Sequence, residues 1–226
     1  MTSVSHPAKY RDEFLPIFAQ AINGAERILD PFGGSGKIFE IRQYLCYEPE
    51  IVAIEIEPEF AAMHSETIVG DALNLQYPDG YFDAIVTSPS YGNRMADQDK
   101  QTIALGKKHR HTYASYLGRR TSDGSSAGLQ WGPRYRDFHF KAWMESRRVL
   151  REGGKFVLNI KNHWRNHQLQ QVKQWHTDTL RSIGFDLIRE HAVESPGLRQ
   201  GRNSEKREEH EYIIVFEKAL LQRSIS

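Results

Sequence analysis

The sequence predicts an α/β fold in a single domain, built on a mostly parallel sheet in which one strand runs antiparallel. Three observations predict it. Short apolar runs alternate with stretches of helical periodicity. A glycine-rich turn, Gly33-Gly34-Ser35-Gly36, joins the first such run to a helical stretch. The last two apolar runs have no room for a helix between them, so they are expected to pair as a hairpin. The 226 residues, 39% hydrophobic, suffice for one core with a long excursion and not for a second domain, so residues 1–226 read as one unit.

In chain order, Phe14, Leu15, Ile17, Phe18, Ala21 and Ile22 recur at helical spacing between Tyr10 and Ile22, with Pro16 placed to begin or break that helix. Arg27 to Asp30 is a short strand. The glycine turn leads into a helix near Ile38 to Leu45, and Ile51 to Glu55 is the second strand, completing a βαβ unit. A helix after Pro58 carries Phe60 to His64, a short strand ends at Val69, and the apolar run Phe82 to Thr87 follows the Pro78-Asp79-Gly80 turn. Beyond a polar, basic stretch, Phe138 to Leu150 reads as a helix stopping at Gly153-Gly154. Lys155 to Ile160 reads as a strand and Leu169 to Ile183 as a helix ending at Gly184. The closing strands are Phe185 to Val193 and Glu211 to Glu217.

Composition excludes several classes. Thirty basic against 29 acidic residues give a formal charge of +1, so global electrostatics argue neither for nor against nucleic acid. The single cysteine, Cys46, rules out an internal disulfide and a cysteine-rich zinc site, and in a predicted helix it is expected to be a small buried apolar residue. No apolar run reaches membrane-spanning length and residues 1–7 lack an apolar signal core, so the chain is expected to be soluble and cytoplasmic.

The first strand ends in Asp30 and feeds Pro31-Phe32-Gly33-Gly34-Ser35-Gly36, where glycines let backbone approach a ligand at a helix start. A carboxylate there would repel a pyrophosphate and attract a ligand carrying an ammonium and a sulfonium, as S-adenosylmethionine does. Glu55, nineteen positions after Gly36 at the end of the second strand, has the spacing of a ribose-binding acid. Glu57 competes for that role but abuts Pro58 in the turn. Asp71, after the third strand, is placed to accept an adenine amine. Any one acid could simply open a solvated loop; three acids after three successive strands argue for a site.

The run Phe82 to Thr87 delivers Ser88-Pro89-Ser90-Tyr91 to the same sheet edge. A planar base can stack on Tyr91 while Ser88 and the Pro89 carbonyl accept the hydrogens of its exocyclic amine. Carbon methylation of cytosine would need a thiolate nucleophile, for which Cys46 is badly placed.

On these residues the chain resembles the S-adenosylmethionine-dependent DNA methyltransferases that modify exocyclic amines. The resemblance rests on Asp30 to Gly36, Glu55, Gly70-Asp71-Ala72 and Ser88 to Tyr91, with weaker likeness in Leu150 to Gly154 and in Arg202, Asn203 and Arg207 ahead of Glu211 to Phe216. It implies a Rossmann-like, seven-stranded class I methyltransferase sheet. It also implies that Asp30, Phe32, Gly33, Gly34, Gly36, Glu55, Asp71 and Ala72 hold S-adenosylmethionine and that His6 to Lys9 close over it. Ser88, Pro89 and Tyr91 are then the catalytic set, holding the target amine and stacking on the base. Serine at the first tetrapeptide position is more like cytosine-N4 than adenine-N6 enzymes. Ser90 departs from the family's second proline, which frees φ and is expected to leave the loop less preorganised. RNA methylation at a guanine or adenine amine, or a non-catalytic nucleic-acid-binding subunit on the same fold, are the alternatives.

Residues 92–136 form a basic insert with nine basic residues against three aspartates, a net of +6. Arg94, Lys107, Lys108, Arg110, Arg119, Arg120 and Arg134 are its expected DNA contacts. Tyr113, Tyr116, Trp131 and Tyr135 interleave with them as stacking platforms. The Gly and Ser content near 118–128 also fits a solvated loop that orders on binding. Gly197 to Arg207 is a second basic loop, and Lys161 to His167 follows a strand at the active edge, where it could touch target or flanking bases. His163 and His167 stand at i, i+4 spacing without further ligands nearby, so no metal site is expected. The insert is small for a recognition domain, which leaves room for specificity supplied by a homodimer or a partner subunit.

Overall fold

Apolar runs that alternate with amphipathic helices bury both faces of one sheet, and the computed structural model shows that arrangement. It describes residues 6–8, 10–106, 108, 111–165, 167–195 and 208–220. The strands are β1 (Arg27–Asp30), β2 (Glu50–Glu55), β3 (Thr67–Val69), β4 (Phe82–Thr87), β5 (Leu150–Ile160), β6 (His163–Arg165), β7 (Gln168–Gln170), β8 (Phe185–Glu194) and β9 (His210–Lys218). Seven of them form the sheet in the order β3-β2-β1-β4-β5-β9-β8, while β6 and β7 pair separately. β9 runs antiparallel to both neighbours and the rest are parallel, as expected of a hairpin between the last two apolar runs.

The helices are α1 (Leu15–Ala21), α2 (Pro58–Ala61), α3 (Lys100–Leu105), α4 (Tyr113–Leu117), α5 (Pro133–Val149) and α6 (Val172–Ser182), with a 3-10 helix at Lys37–Tyr44. Pro16 sits in the first turn of α1, where its missing N–H costs nothing. Because strand side chains alternate, Leu29, Ile85, Phe156 and Leu158 face a core shared with Trp143, Phe138 and Leu180 of α5 and α6. Ile28, Ala84, Val86 and Val157 face the opposite core with Phe14, Phe18 and Ile38.

Several boundaries differ from expectation. α5 starts at Pro133, inside the stretch assigned to the insert, and ends at Val149; β5 begins at once and takes Gly153-Gly154 into an irregular register with β4. α6 starts at Val172 because β6 and β7 pair antiparallel just before it, and the Asn162 carboxamide accepts the Lys173 amide at 2.9 Å. His163 therefore lies on a strand, not on a helix face with His167. Cys46 is exposed, in the bend after the 3-10 helix ends at Tyr44. The insert carries α3 and α4, each N-capped by its own side chain, Asp99 and Thr112.

Candidate active site

In this strand order β1 and β4 are neighbours whose connections leave on opposite sides, which opens a crevice at their carboxyl ends. Both sequence motifs stand there. The Gly33 amide donates to the Ile54 carbonyl at 2.8 Å, and a Cβ at Gly33 would fall 2.8 Å from that of Ala53, so only glycine lets the turn lie against β2. Gly36 adopts φ of +75° and packs under His64, where a Cβ would meet that side chain at 2.5 Å.

Asp30 is fully buried beneath this turn. Its carboxylate accepts from the Tyr10 hydroxyl at 2.6 Å, from Thr87 Oγ1 at 3.0 Å and from the Phe32 amide at 3.0 Å. Burial raises its pKa to about 6, with the Tyr10, Phe32 and Thr87 donors pulling it back down. Through these bonds Asp30 ties β1, β4 and Tyr10 together, and it stands beside the two cavities of the crevice without lining either.

Two cavities adjoin at the crevice. The smaller, about 50 Å³, is lined by Phe32, Ile54, Glu55, Asp71, Ala72 and the insert residues Gly124 to Ala127. Glu55 accepts the Gly34 amide at 3.0 Å and the Glu57 amide at 2.9 Å, linking the glycine turn to β2. Burial pushes its carboxyl up to about 7 against those two donors. Asp71 accepts the Leu73 amide at 2.8 Å, which fixes its carboxylate at the cavity wall. The larger cavity, about 320 Å³, is lined by Gly33, Gly34, Ser88, Pro89, Tyr91, Lys161 and Glu211 among others. His6, Phe32, Ser88 and Tyr113 border both. The His6 ring packs edge-on against Phe60 at 4.5 Å, so residues 6–8 lie across the crevice; Lys9 falls outside the described residues.

Ser88 Oγ and Tyr91 Oη are 3.2 Å apart, and Tyr91 Oη reaches Asn159 Oδ1 and Glu211 Oε2, each at 3.2 Å. Burial, with the Glu211 charge beside it, pushes the Tyr91 hydroxyl well above its usual range, so it stays neutral. Ser90 is held from two sides. Its hydroxyl donates to the Ser126 carbonyl at 2.8 Å, and its own carbonyl accepts the Tyr135 hydroxyl at 2.8 Å. Behind Tyr135, His176 Nε2 lies 3.0 Å from the phenol oxygen and Trp143 Nε1 donates to His176 Nδ1 at 3.0 Å. An indole N–H can only donate, so Nδ1 is the acceptor and Nε2 carries the proton, and burial keeps that ring neutral. The loosening expected from the lost proline is thus offset by a buried hydrogen-bonded seat.

The expected nucleic-acid residues divide. Arg94, Lys108, Arg120 and Arg134 are exposed. Arg119 instead binds Glu57, which is fully buried, at 2.9 Å and Glu59 at 2.5 Å, with Ser122 donating to Glu57 through both its amide and its hydroxyl. Its guanidinium is committed to latching the insert onto the β2–α2 loop. Glu57, the weighed competitor for the ribose, serves that latch. Lys107, Arg110 and the loop Gly197 to Arg207 lie outside the described residues. Of the interleaved aromatics, Tyr113 and Tyr135 are buried and Trp131 packs on Tyr135 and Trp175, so they are structural walls and not exposed platforms. Glu211 and Asn159 are not legible in the sequence, because nothing in their local sequence ties them to Tyr91, 68 or more positions away, and nothing around Tyr10 ties it to Asp30 and the Val86 carbonyl.

No family model matches the sequence, and no curated protein matches it. Solved structures do. One described as a S-adenosylmethionine-dependent methyltransferase from Methanosarcina mazei superimposes with a TM-score of 0.57 over 91% of this chain and 98% of that one, at 14% identity. The fold is that of the class I methyltransferases. TrmN from Thermus thermophilus shares it with a TM-score of 0.52 and 18% identity over 91% of this chain, which spans 47% of that protein. The [4+2]-cyclase SpnF shares it at 0.57 and 15% identity, over 92% of this chain and 82% of that one. One class I methyltransferase fold thus carries different reactions, and the chemistry must be read from the site. Among the described residues no helix is long and apolar enough to cross a membrane, and no three metal-ligating side chains come together.

Proposed function

We propose that the chain is a S-adenosylmethionine-dependent methyltransferase acting on an exocyclic amine of a nucleobase, in DNA and at cytosine N4. The observation that carries the reading is the meeting of two unlike cavities at Ser88: one walled by Glu55 and Asp71, the other by Pro89 and Tyr91. The donor set suits the cofactor. Glu55 can accept both ribose hydroxyls, Asp71 an adenine amine, and the Gly33-Gly34 backbone can lie against the amino-acid moiety. The small volume at Glu55 means that entry has to displace Gly124 to Ala127 or His6.

When bound, the cofactor supplies an electrophilic methyl on a sulfonium. This chain's residues do the rest. Ser88 and the Pro89 carbonyl accept the amine hydrogens and turn the nitrogen lone pair out of conjugation, while the Tyr91 ring stacks on the base with its hydroxyl anchored by Asn159 and Glu211. Duplex substrate must present a flipped base, at a cost of a few kcal/mol. The exposed Arg94, Lys108, Arg120 and Arg134 supply phosphate contacts.

Incubation with methyl-labelled cofactor followed by nucleoside mass spectrometry of DNA and RNA tests the reading. Label at cytosine N4 in DNA supports it; label at a guanine or adenine amine in RNA replaces the substrate while keeping the chemistry. Nucleic-acid binding with no label in either polymer reduces the chain to a binding subunit.

A further inference from the structure

A serine at the first tetrapeptide position raises a question of proton balance. When the amine nitrogen takes the methyl carbon, the C–S bond breaks with its electron pair left on sulfur, and the nitrogen carries one excess proton. A neutral hydroxyl can pass that proton on but cannot keep it. The larger cavity supplies a destination. Ser88 Oγ lies 3.2 Å from Tyr91 Oη, which donates to Glu211 Oε2 at 3.2 Å. Glu211 lines the same cavity, receives the Ser195 hydroxyl on Oε1 at 2.6 Å, and has the Lys161 ammonium at 3.9 Å. Tyr91 also reaches Asn159 Oδ1 at 3.2 Å, but its one proton goes preferentially to the charged acceptor.

Resting on the reading that Ser88 and Pro89 hold the acceptor amine, we infer that Ser88, Tyr91 and Glu211 form a proton exit path with the Glu211 carboxylate as terminal acceptor. The amine proton passes to Ser88 Oγ as the Ser88 proton passes to Tyr91 Oη and the Tyr91 proton to Glu211, which ends neutral and reloads through the cavity. No atom is left unbalanced and no further reactant is needed. A serine-headed motif then works because the carboxylate comes from β9 across the sheet instead of from the motif itself. Tyr91 serves twice, its ring for the base and its hydroxyl for the proton.

The test uses the full chain, tritiated S-adenosylmethionine, and unmethylated genomic DNA and total RNA as acceptors. Glu211→Gln keeps the shape and removes the acceptor; Tyr91→Phe keeps the ring and breaks the path at another atom. Each is expected to lower kcat by about 100-fold, the usual scale of proton-transfer catalysis, with KM for nucleic acid and cofactor Kd unchanged. The double variant is expected to be no slower than the slower single one, since the groups act as a unit. Wild-type kcat in either variant, additive losses in the double, or a matching loss of cofactor affinity would overturn the path while leaving the methyltransferase reading intact. A wild-type chain that binds cofactor yet labels neither polymer would overturn both.

Discussion

With Glu55 as the proposed ribose-binding acid, cofactor binding should depend on pH. The Glu55 carboxyl is buried between the Gly34 and Glu57 amides and titrates at about 7, raised chiefly by desolvation. Ribose hydroxyls are donors, so they bind the carboxylate and not the acid. Roughly one molecule in eleven is ionised at pH 6 and ten in eleven at pH 8, so the Kd for S-adenosylmethionine should tighten about tenfold, or about 1.4 kcal/mol, across that interval. The folded pKa lies above the unfolded one. The free protein therefore loses stability as pH rises from the unfolded value toward 7, and the cofactor recovers it. Calorimetry at pH 6, 7 and 8 reads the affinity, and thermal melts with and without cofactor read the recovery, which should be larger at pH 8. Asp30 titrates nearby, at about 6, so Glu55→Gln is the control: it should bind more weakly at pH 8 and lose most of the trend. A wild-type Kd that is flat from pH 6 to 8, or a trend that survives in Glu55→Gln, would rule out the Glu55 carboxylate as the ribose acceptor.

Other substitutions test the supporting structure. Ser90→Ala removes the hydroxyl that holds the Ser126 carbonyl, at a cost of about 0.5–1.5 kcal/mol, and thermal melting should fall by a few degrees with a weaker cofactor Kd. Ser90→Pro loses the same bond but gains about 0.4–1 kcal/mol from a stiffer unfolded chain, so its stability should stay near that of the natural protein in a denaturant titration, with no gain in turnover. Arg119→Ala leaves Glu57 buried with only Ser122 as donor and should cost about 1–3 kcal/mol in the same titration. Gln at Arg94, Lys108, Arg120 and Arg134 together should flatten the salt dependence of duplex binding by about 0.9 for each phosphate that is no longer neutralised.

Particular residues show what the sequence could reveal and what it could not. The strands were readable because each is a contiguous apolar run, and the antiparallel β9 because the sequence between the last two runs carries no apolar helical pattern that could form a crossover helix. The glycine turn, Glu55, Asp71 and the tetrapeptide were readable because each follows a strand end, where local order fixes position. Asp30 was placed correctly at the end of β1, but its surroundings depend on Tyr10 and Thr87, which reach it only after folding. The same limit applies to Glu211, brought to Tyr91 by pairing across the sheet. Ser90 looked like a defect in one dimension and is a buried junction in three. Arg119 looked like a free cation because Glu57 and Glu59 lie some sixty positions upstream. Cys46 looked buried because the 3-10 helix ends just before it, a boundary that propensity does not resolve.

Methyl transfer from S-adenosylmethionine to an amine held by Ser88 and Pro89 is the reaction proposed for this chain. Mass spectrometry of nucleosides from DNA incubated with the chain and trideuteromethyl-labelled cofactor tests it most directly. Labelled N4-methylcytosine is expected, and it should disappear in Tyr91→Ala. Cofactor binding without any labelled amine, in DNA or RNA, would contradict it.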